Sequence, residues 1–308
     1  MHHKHKKTRN NKVPSKHEMV FRVEQNALLM AFLIEKLPHK SRNNIKSLLH
    51  NKQVWVDETV VSQFNHPLVP HQKVEISSSR SRAEKKFSAF TIVYEDDQLI
   101  VIDKSNGLLS VATQKEKRLT AFSLLSDYVK QADAHGKIFI VHRLDRDTSG
   151  LMVFAKNEAI KNLLQEGWKR TEVEKKYVAL VEGKTETTQG TITSYLSEDK
   201  NFKVHSSQNP RKGLKALTHF SELASNGMFS LLEVNLETGR KNQIRVHMEE
   251  MGHSIVGDKK YGAVSNPIRR LGLHAQKLAF IHPVSGEKLR FETKIPPAFL
   301  LLLKGTHR

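Results

Sequence analysis

The chain has 308 residues, of which 38% are hydrophobic, and its 50 Lys and Arg against 32 Asp and Glu give a formal charge of +18 at pH 7. That length accommodates two domains with a core each, and that charge calls for a polyanionic partner. The lack of cysteine excludes disulfides, thiolate-bound zinc and thiol nucleophiles. Catalysis, if present, must use carboxylates, hydroxyls, histidines or basic groups.

No run approaches the roughly 20 apolar residues of a membrane span. The opening MHHKHKKTRNNKVPSKHE also lacks the apolar centre of a secretory signal, so the expected location is the cytoplasm, with no membrane association. Seventeen histidines raise the question of a metal. None forms an HExxH pair or stands at helical spacing beside a carboxylate, and no metal is expected.

Residues 1–17 contain six Lys or Arg and no acid, which reads as a disordered basic arm. Residues 18–78 form the first folded unit. Leu28, Leu29, Phe32, Leu33 and Leu37 recur at helical spacing before Pro38, and Ser41 is placed to cap a second helix that turns Ile45, Leu48 and Leu49 inward. Arg42 and Lys46 then lie on its outer face, with His50 and Lys52 near its end. A strand at Val54-Trp55-Val56 and apolar alternation up to Val74-Glu75-Ile76 complete the unit.

The stretch SRNNIKSLLHNKQVWVDETVV, Ser41 to Val61, resembles the small S-four-type (alpha-L) RNA-binding module first named for a ribosomal protein of the small subunit. The resemblance implies that Arg42 and Lys46 contact RNA. One departure is that Asp57-Glu58 stands where that family often has Asn-Gly. The bland alternative is a helix pair with an ordinary solvated basic face.

Residues 79–89, within the serine-rich SSSRSRAEKKFSAF, read as a linker. Residues 90–308 are strand-rich. Strands are expected around Thr91–Tyr94, Leu99–Ile102, Ile138–Val141, Leu151–Phe154, Lys176–Val181 and Phe229–Val234, and helices over Leu119–Gln131 and Glu158–Arg170. That irregular order predicts an α+β domain with a mixed, largely antiparallel sheet.

Three polar segments interrupt the strands: HRLDRDTSGLMVFAKN from His142, EKKYVALVEG from Glu174 and ETGRKNQIRVHMEEMGHSIVGDKKYG from Glu237. In the third, Arg240, Lys241, Arg245 and His247 accompany Ile244 and Val246. A strand there would put Arg245 and His247 on one face, and such cations need an anion, either Asp145 or RNA phosphate. An aspartate beside an arginine stays ionised and can act at a ribose carbon. The alternative is a structural ion pair. Asp147 is two residues from Asp145, too close for a glycosidase-like pair flanking one bond, and is expected to serve local hydrogen bonding or face solvent.

HRLDRDTSG, KKYVALVEG and GRKNQIRVH, followed by LGLHAQKLAFIHPVSGEKLRFE from Leu271, together resemble the RluA-type pseudouridine synthases. The likeness extends over residues 90–300. It implies isomerisation of uridine in RNA, without metal, nucleotide or redox cofactor. Asp145 matches that family's catalytic aspartate, Tyr177 its tyrosine packed on the target uracil and assisting loss of the carbon-five proton, and Arg245 its aspartate-orienting arginine. Arg143 matches the residue that fills the gap left by the flipped nucleotide, and Arg240 joins it as an RNA contact.

Two departures are expected to leave the three catalytic positions untouched: Lys241-Asn242, where threonine or serine before histidine is common, and the Lys104-Ser105-Asn106-Gly107 turn. The pairing of units resembles that of enzymes acting on ribosomal RNA of the large subunit, and the resemblance implies that substrate. Transfer RNA, or a non-catalytic role in ribosome assembly, are the alternatives. A monomer is expected, since no apolar element is left without a place in the two units.

Overall fold

The computed structural model describes residues 19–50, 53–57, 59–76, 85–86, 89–114, 116–167 and 174–305. The basic arm and most of the expected linker lie outside them. The chain divides into two compact units, Met1–Ala83 and Glu84–Arg308.

In the first unit the elements are β1 (Met19–Arg22), β2 (Ala27–Leu28), α1 (Leu29–Lys36), α2 (Arg42–His50), β3 (Val54–Val56), β4 (Thr59–Val60), β5 (Pro67–Leu68) and β6 (Lys73–Ile76). Strands β1, β6, β3 and β4 form an antiparallel sheet in that order, and β2 pairs with β5. Leu29, Leu33, Leu37, Ile45, Leu49, Val54 and Val74 make its core. Ser41 caps α2 as expected, its Oγ accepting from the Asn44 N–H at 3.2 Å. Leu28, read as part of the helical stripe, is instead the exposed, extended residue before α1. Asp57 takes the left-handed conformation (φ 46°) that a two-residue hairpin turn between β3 and β4 demands. Its carboxylate accepts from the Lys73 N–H at 2.8 Å and Gln72 Nε2 at 2.9 Å, so hydrogen bonds to the segment at β6 hold Asp57 in place.

In the second unit the elements are β7 (Lys85–Lys86), β8 (Phe90–Glu95), β9 (Leu99–Lys104), α3 (Ala121–Ala132), β10 (Phe139–Ile140), β11 (Ser149–Ala155), α4 (Glu158–Gly167), β12 (Glu174–Glu182), β13 (Gln189–Glu198), β14 (Val204–Ser207), β15 (Leu214–Ser225), β16 (Phe229–Leu236), α5 (Gln243–Glu250), β17 (Leu273–Ile281), β18 (Lys288–Glu292) and α6 (Pro297–Lys304). They form one sheet in the order β14-β13-β15-β16-β12-β17-β11-β9-β8-β7, with β10 also on β11 and β18 also on β17. Because β7 pairs with β8, the sheet begins inside the segment read as linker.

Among the described strands, pairing is antiparallel except where β11 meets β17, at Ser149↔His274 and Gly150↔Ala275. The α+β class with a mixed, largely antiparallel sheet is therefore what the chain adopts. Gly150 makes that junction feasible. Its φ is +115°, and a Cβ there would sit 2.2 Å from the Ala275 carbonyl oxygen, so only glycine fits.

Helices cover both faces, which explains why the central strands read as continuous apolar runs rather than alternating ones. On one face Ile100, Ile102, Met152 and Phe154 pack under Leu125 and Val129 of α3. On the other, Leu99, Val101, Leu151 and Val153 meet Ile160 and Leu164 of α4. In the second half, Ala179, Val181, Leu232 and Val234 meet Ile244 and Met248 of α5, while Val178, Leu180 and Leu231 meet Phe299 of α6. Tyr177 touches both the α3 and the α5 clusters. The three polar segments converge beside Tyr177.

Candidate active site

The quoted HRLDRDTSG stretch is the loop from β10 into β11, and it is pinned from inside. Leu144 is buried among the α3 cluster, while its N–H donates to Ser110 Oγ (3.1 Å) and its carbonyl accepts from that hydroxyl (2.6 Å). Lys104, at the end of β9, is fully buried. Its ammonium donates to the carbonyls of Ser105 (3.0 Å), Leu108 (2.8 Å) and Arg146 (3.1 Å), using all three N–H bonds. Desolvation lowers its pKa to about 8, with Asp147 and Asp145 acting in the opposite direction. Between these two anchors, Asp145 keeps a carboxylate that is 32% exposed and lines a cavity of about 310 Å³.

Tyr177 enters the same cavity from β12. The pairing of β12 with β17 slips by one residue between Lys176 and Tyr177, a bulge of the kind that re-aims a side chain beside a functional site. Desolvation raises the Tyr177 pKa, and the negative charge of Asp145 adds to that, so its hydroxyl is neutral near pH 7.

Arg245 arrives from α5. The segment read as a strand is a helix, which corrects the two-faced picture: Arg245 and His247 do not share a face. His247 is fully buried, with Nδ1 2.8 Å from Thr218 Oγ1 and Nε2 3.0 Å from Ser194 Oγ, and desolvation lowers its pKa. It fixes α5 to the sheet and contributes no cation to the cavity. Gln243 does the same one turn earlier, donating to Thr218 Oγ1 (2.9 Å) and the Leu217 carbonyl (3.0 Å) while accepting from the Thr238 hydroxyl (2.8 Å).

The principal anion of Arg245 is Asp258. Nε and Nη2 each donate to it at 2.7 Å, the two-pronged geometry that makes such pairs strong, and its carboxylate is 1% exposed. The remaining Nη1 faces Asp145 Oδ2 at 3.5 Å and Asn242 Oδ1 at 3.3 Å. The guanidinium also lies 4.8 Å from the centre of the buried Tyr261 ring. Burial opposes its charge, but Asp258 and then Asp145 outweigh that and raise its pKa. A permanent cation is thus held by one acid and presented to another.

The cavity is further lined by Arg143, Arg240, Lys241, Asn242, Thr148, Leu236 and Leu273. Arg143 is exposed, and Arg240 is exposed with its Nε donating to the Lys215 carbonyl at 3.1 Å. Five of the seven site residues named from sequence, Asp145, Tyr177, Arg245, Arg143 and Arg240, therefore share one cavity. Arg42 and Lys46 lie exposed on α2 of the first unit. Asp147 is exposed, as expected.

Sequence reasoning missed Asp258, Tyr261 and the role of Asn242. The expectation that Lys241-Asn242 leaves the catalytic positions untouched fails, because Asn242 accepts from Arg245 and donates to Tyr261 Oη at 2.9 Å. Asn242 precedes α5 in the left-handed conformation (φ 54°), one of the few non-glycine residue types that tolerates it. The available signal was the GDKKYG segment, in which Gly257 (φ +79°) turns the chain just before the lone acid. Among the described residues no group of three or more His, Asp or Glu is arranged to hold a metal, and no helix is long and apolar enough to cross a membrane.

A carboxylate, a flat neutral ring and an anchored guanidinium in one basic cavity define an enzyme suited to a nucleotide of a polyanionic chain. The family model for RNA pseudouridylate synthases matches residues 98–250. An uncharacterized RNA pseudouridine synthase of Bacillus subtilis (strain 168), YhcT, is 30% identical over 285 residues, covering 91% of this chain and 93% of the relative. Ribosomal large subunit pseudouridine synthase D of Escherichia coli (strain K12) is 30% identical over 289 residues, 88% of each. The solved structure of human RNA pseudouridylate synthase domain containing 4 superposes with a TM-score of 0.59 at 24% identity, covering 69% of this chain and 92% of that one, and so shares the fold. The chain belongs to the RNA pseudouridine synthase family and is an isomerase of uridine in RNA.

Proposed function

We propose that Asp145 is the catalytic carboxylate, that Arg245 holds and polarises it, and that Tyr177 packs against the target uracil. The observation that carries this reading is the position of the Asp145 carboxylate, at the cavity surface with Arg245 Nη1 3.5 Å away and Tyr177 in the same lining. Isomerisation breaks the bond from ribose C1′ to uracil N1, turns the base and joins C1′ to C5. The C5 proton leaves and N1 gains one, so atoms and charge balance. Attack at C1′, attack on the base and removal of a ribose proton each begin from a carboxylate, and a fixed cation beside it stabilises charge as it moves. The raised pKa of Tyr177 makes phenolate scarce, which favours packing and hydrogen bonding over proton abstraction by that residue.

A uridine leaves its stack at a cost of a few kcal/mol. Exposed Arg143, at the cavity edge, is placed to enter the vacated space and recover part of that cost through stacking and phosphate contact. The substrate is ribosomal RNA of the large subunit, supported by the likeness to the Escherichia coli enzyme named for that subunit. Residues 18–78 act as an S-four-type RNA-binding domain through Arg42 and Lys46, and the protein works in the cytoplasm as a monomer. Mapping pseudouridine across total RNA from cells lacking the protein, restored with wild type or with Asp145→Asn, tests the substrate and the catalytic carboxylate together. One or a few large-subunit sites are expected to vanish and to return with wild type alone. Loss from transfer RNA instead would reassign the substrate, and rescue by Asp145→Asn would overturn the catalytic assignment.

A further inference from the structure

The β13–β14 hairpin ends in an unusual residue. Phe202 is 69% exposed, which forgoes the gain of burial, and left-handed (φ 58°), which costs stability. The tip is nonetheless tied by hydrogen bonds. Asp199 accepts from the backbone N–H groups of Asn201 (2.8 Å) and Lys203 (2.9 Å) and pairs with His205 Nε2 (2.9 Å). The Phe202 N–H donates to the Asp199 carbonyl at 3.0 Å, and Lys260 donates to the Phe202 carbonyl at 2.6 Å. A strained exposed aromatic held this firmly suggests a use rather than a packing accident.

Its neighbours indicate which use. Lys241 lines the cavity, and its ammonium lies 5.4 Å from the centre of the Phe202 ring while also bonding Glu198. The Lys241 side chain therefore links the ring to the cavity lining. Lys203, paired with Glu249, and Lys260 flank the same tip. A flat ring among cations is the arrangement that stacks an unpaired base while the backbone runs past lysines.

We propose that Phe202 is a stacking platform for an unpaired RNA base flanking the uridine that enters the cavity. This rests on the assignment of the cavity to the target uridine. The test uses the full chain and in vitro transcribed large-subunit ribosomal RNA, with equilibrium binding and single-turnover pseudouridine formation measured separately. Phe202→Ala is expected to weaken binding about tenfold, to change the rate at saturation far less, and to leave the salt slope as in wild type, because no phosphate contact is lost. Phe202→Trp should restore binding.

Phe202→Gly relieves the left-handed strain, so its melting temperature should equal or exceed that of wild type while its binding falls. A merely structural residue would not separate the two. Wild-type binding by Phe202→Ala, or failure of Phe202→Trp to rescue, overturns the proposal. If wild type itself makes no pseudouridine in the transcript, it is the proposed substrate or cavity assignment that fails, and the binding series still decides the platform.

Discussion

Arg245 shows how far a single residue depends on partners distant in sequence. Its two-pronged bond to Asp258 uses two of its donor nitrogens, and what it offers Asp145 is the third. In Asp258→Asn the guanidinium stays buried, but its main counter-charge is gone. Breaking a buried pair this way costs about 3 kcal/mol, partly offset here by Asp145 and Asn242. A lower melting temperature is therefore expected, together with a drop of at least about tenfold in the single-turnover rate as Nη1 loses its aim. Unchanged kinetics with an intact melt would show that Asp145 needs no oriented cation. Asp145, Tyr177 and Arg245 were legible because each stands in a short motif with its own signature. Asp258 and Tyr261 were not, because nothing local marks an acid in a loop as the partner of an arginine thirteen residues earlier. Asn242 was noticed only as a departure, and its left-handed backbone belongs to the turn rather than to the residue.

At the scale of elements, β11 depends on imidazoles that must stay neutral. His142 Nε2 accepts from the Val153 N–H at 3.2 Å, and His274 Nδ1 lies 2.7 Å from Ser149 Oγ. Desolvation and then the Lys175 charge lower the His142 pKa to about 3. Desolvation and then Arg270 lower that of His274 to about 4. The unfolded chain binds these protons near pH 6.5, so the stabilisation is complete above that value and is lost as pH falls toward 4 and 3. Denaturant titrations at pH 7.5 and 5.0 should differ by up to about 2 kcal/mol per histidine. His274→Asn should reduce that difference, and a flat profile would contradict the neutral-imidazole picture.

Gly150→Ala acts on the same strand. With its Cβ inside the van der Waals radius of the Ala275 carbonyl, the parallel junction must open, and a loss of several kcal/mol, typical of severe overpacking and backbone strain, is expected in the melt. The strands around this junction were legible as apolar runs because both faces are covered. The parallel pairing was not, since β17 lies more than a hundred residues away. Helix α5 was misread because four alternating residues satisfy a strand period as well as part of a helical one.

Across the whole molecule, the two units share a net charge of +18 but divide the chemistry, for every described residue of the cavity belongs to the second unit. On the function proposed above, the first unit contributes affinity. Arg42 and Lys46 are one helical turn apart on the exposed side of α2, where replacing them disturbs folding by no more than about 0.5 kcal/mol. If they neutralise RNA phosphates, Arg42→Ala/Lys46→Ala removes two released counterions. The slope of log K against log salt should then become shallower by about 1.5, with affinity lost across all RNA sequences alike. Single-turnover rates at saturating enzyme should follow wild type, because nothing at Asp145 has changed. An unaltered salt slope would mean that this face is ordinary solvated surface and that the charge engaging RNA lies elsewhere, whereas a fall in the saturating rate would mean that α2 positions the substrate as well as holding it.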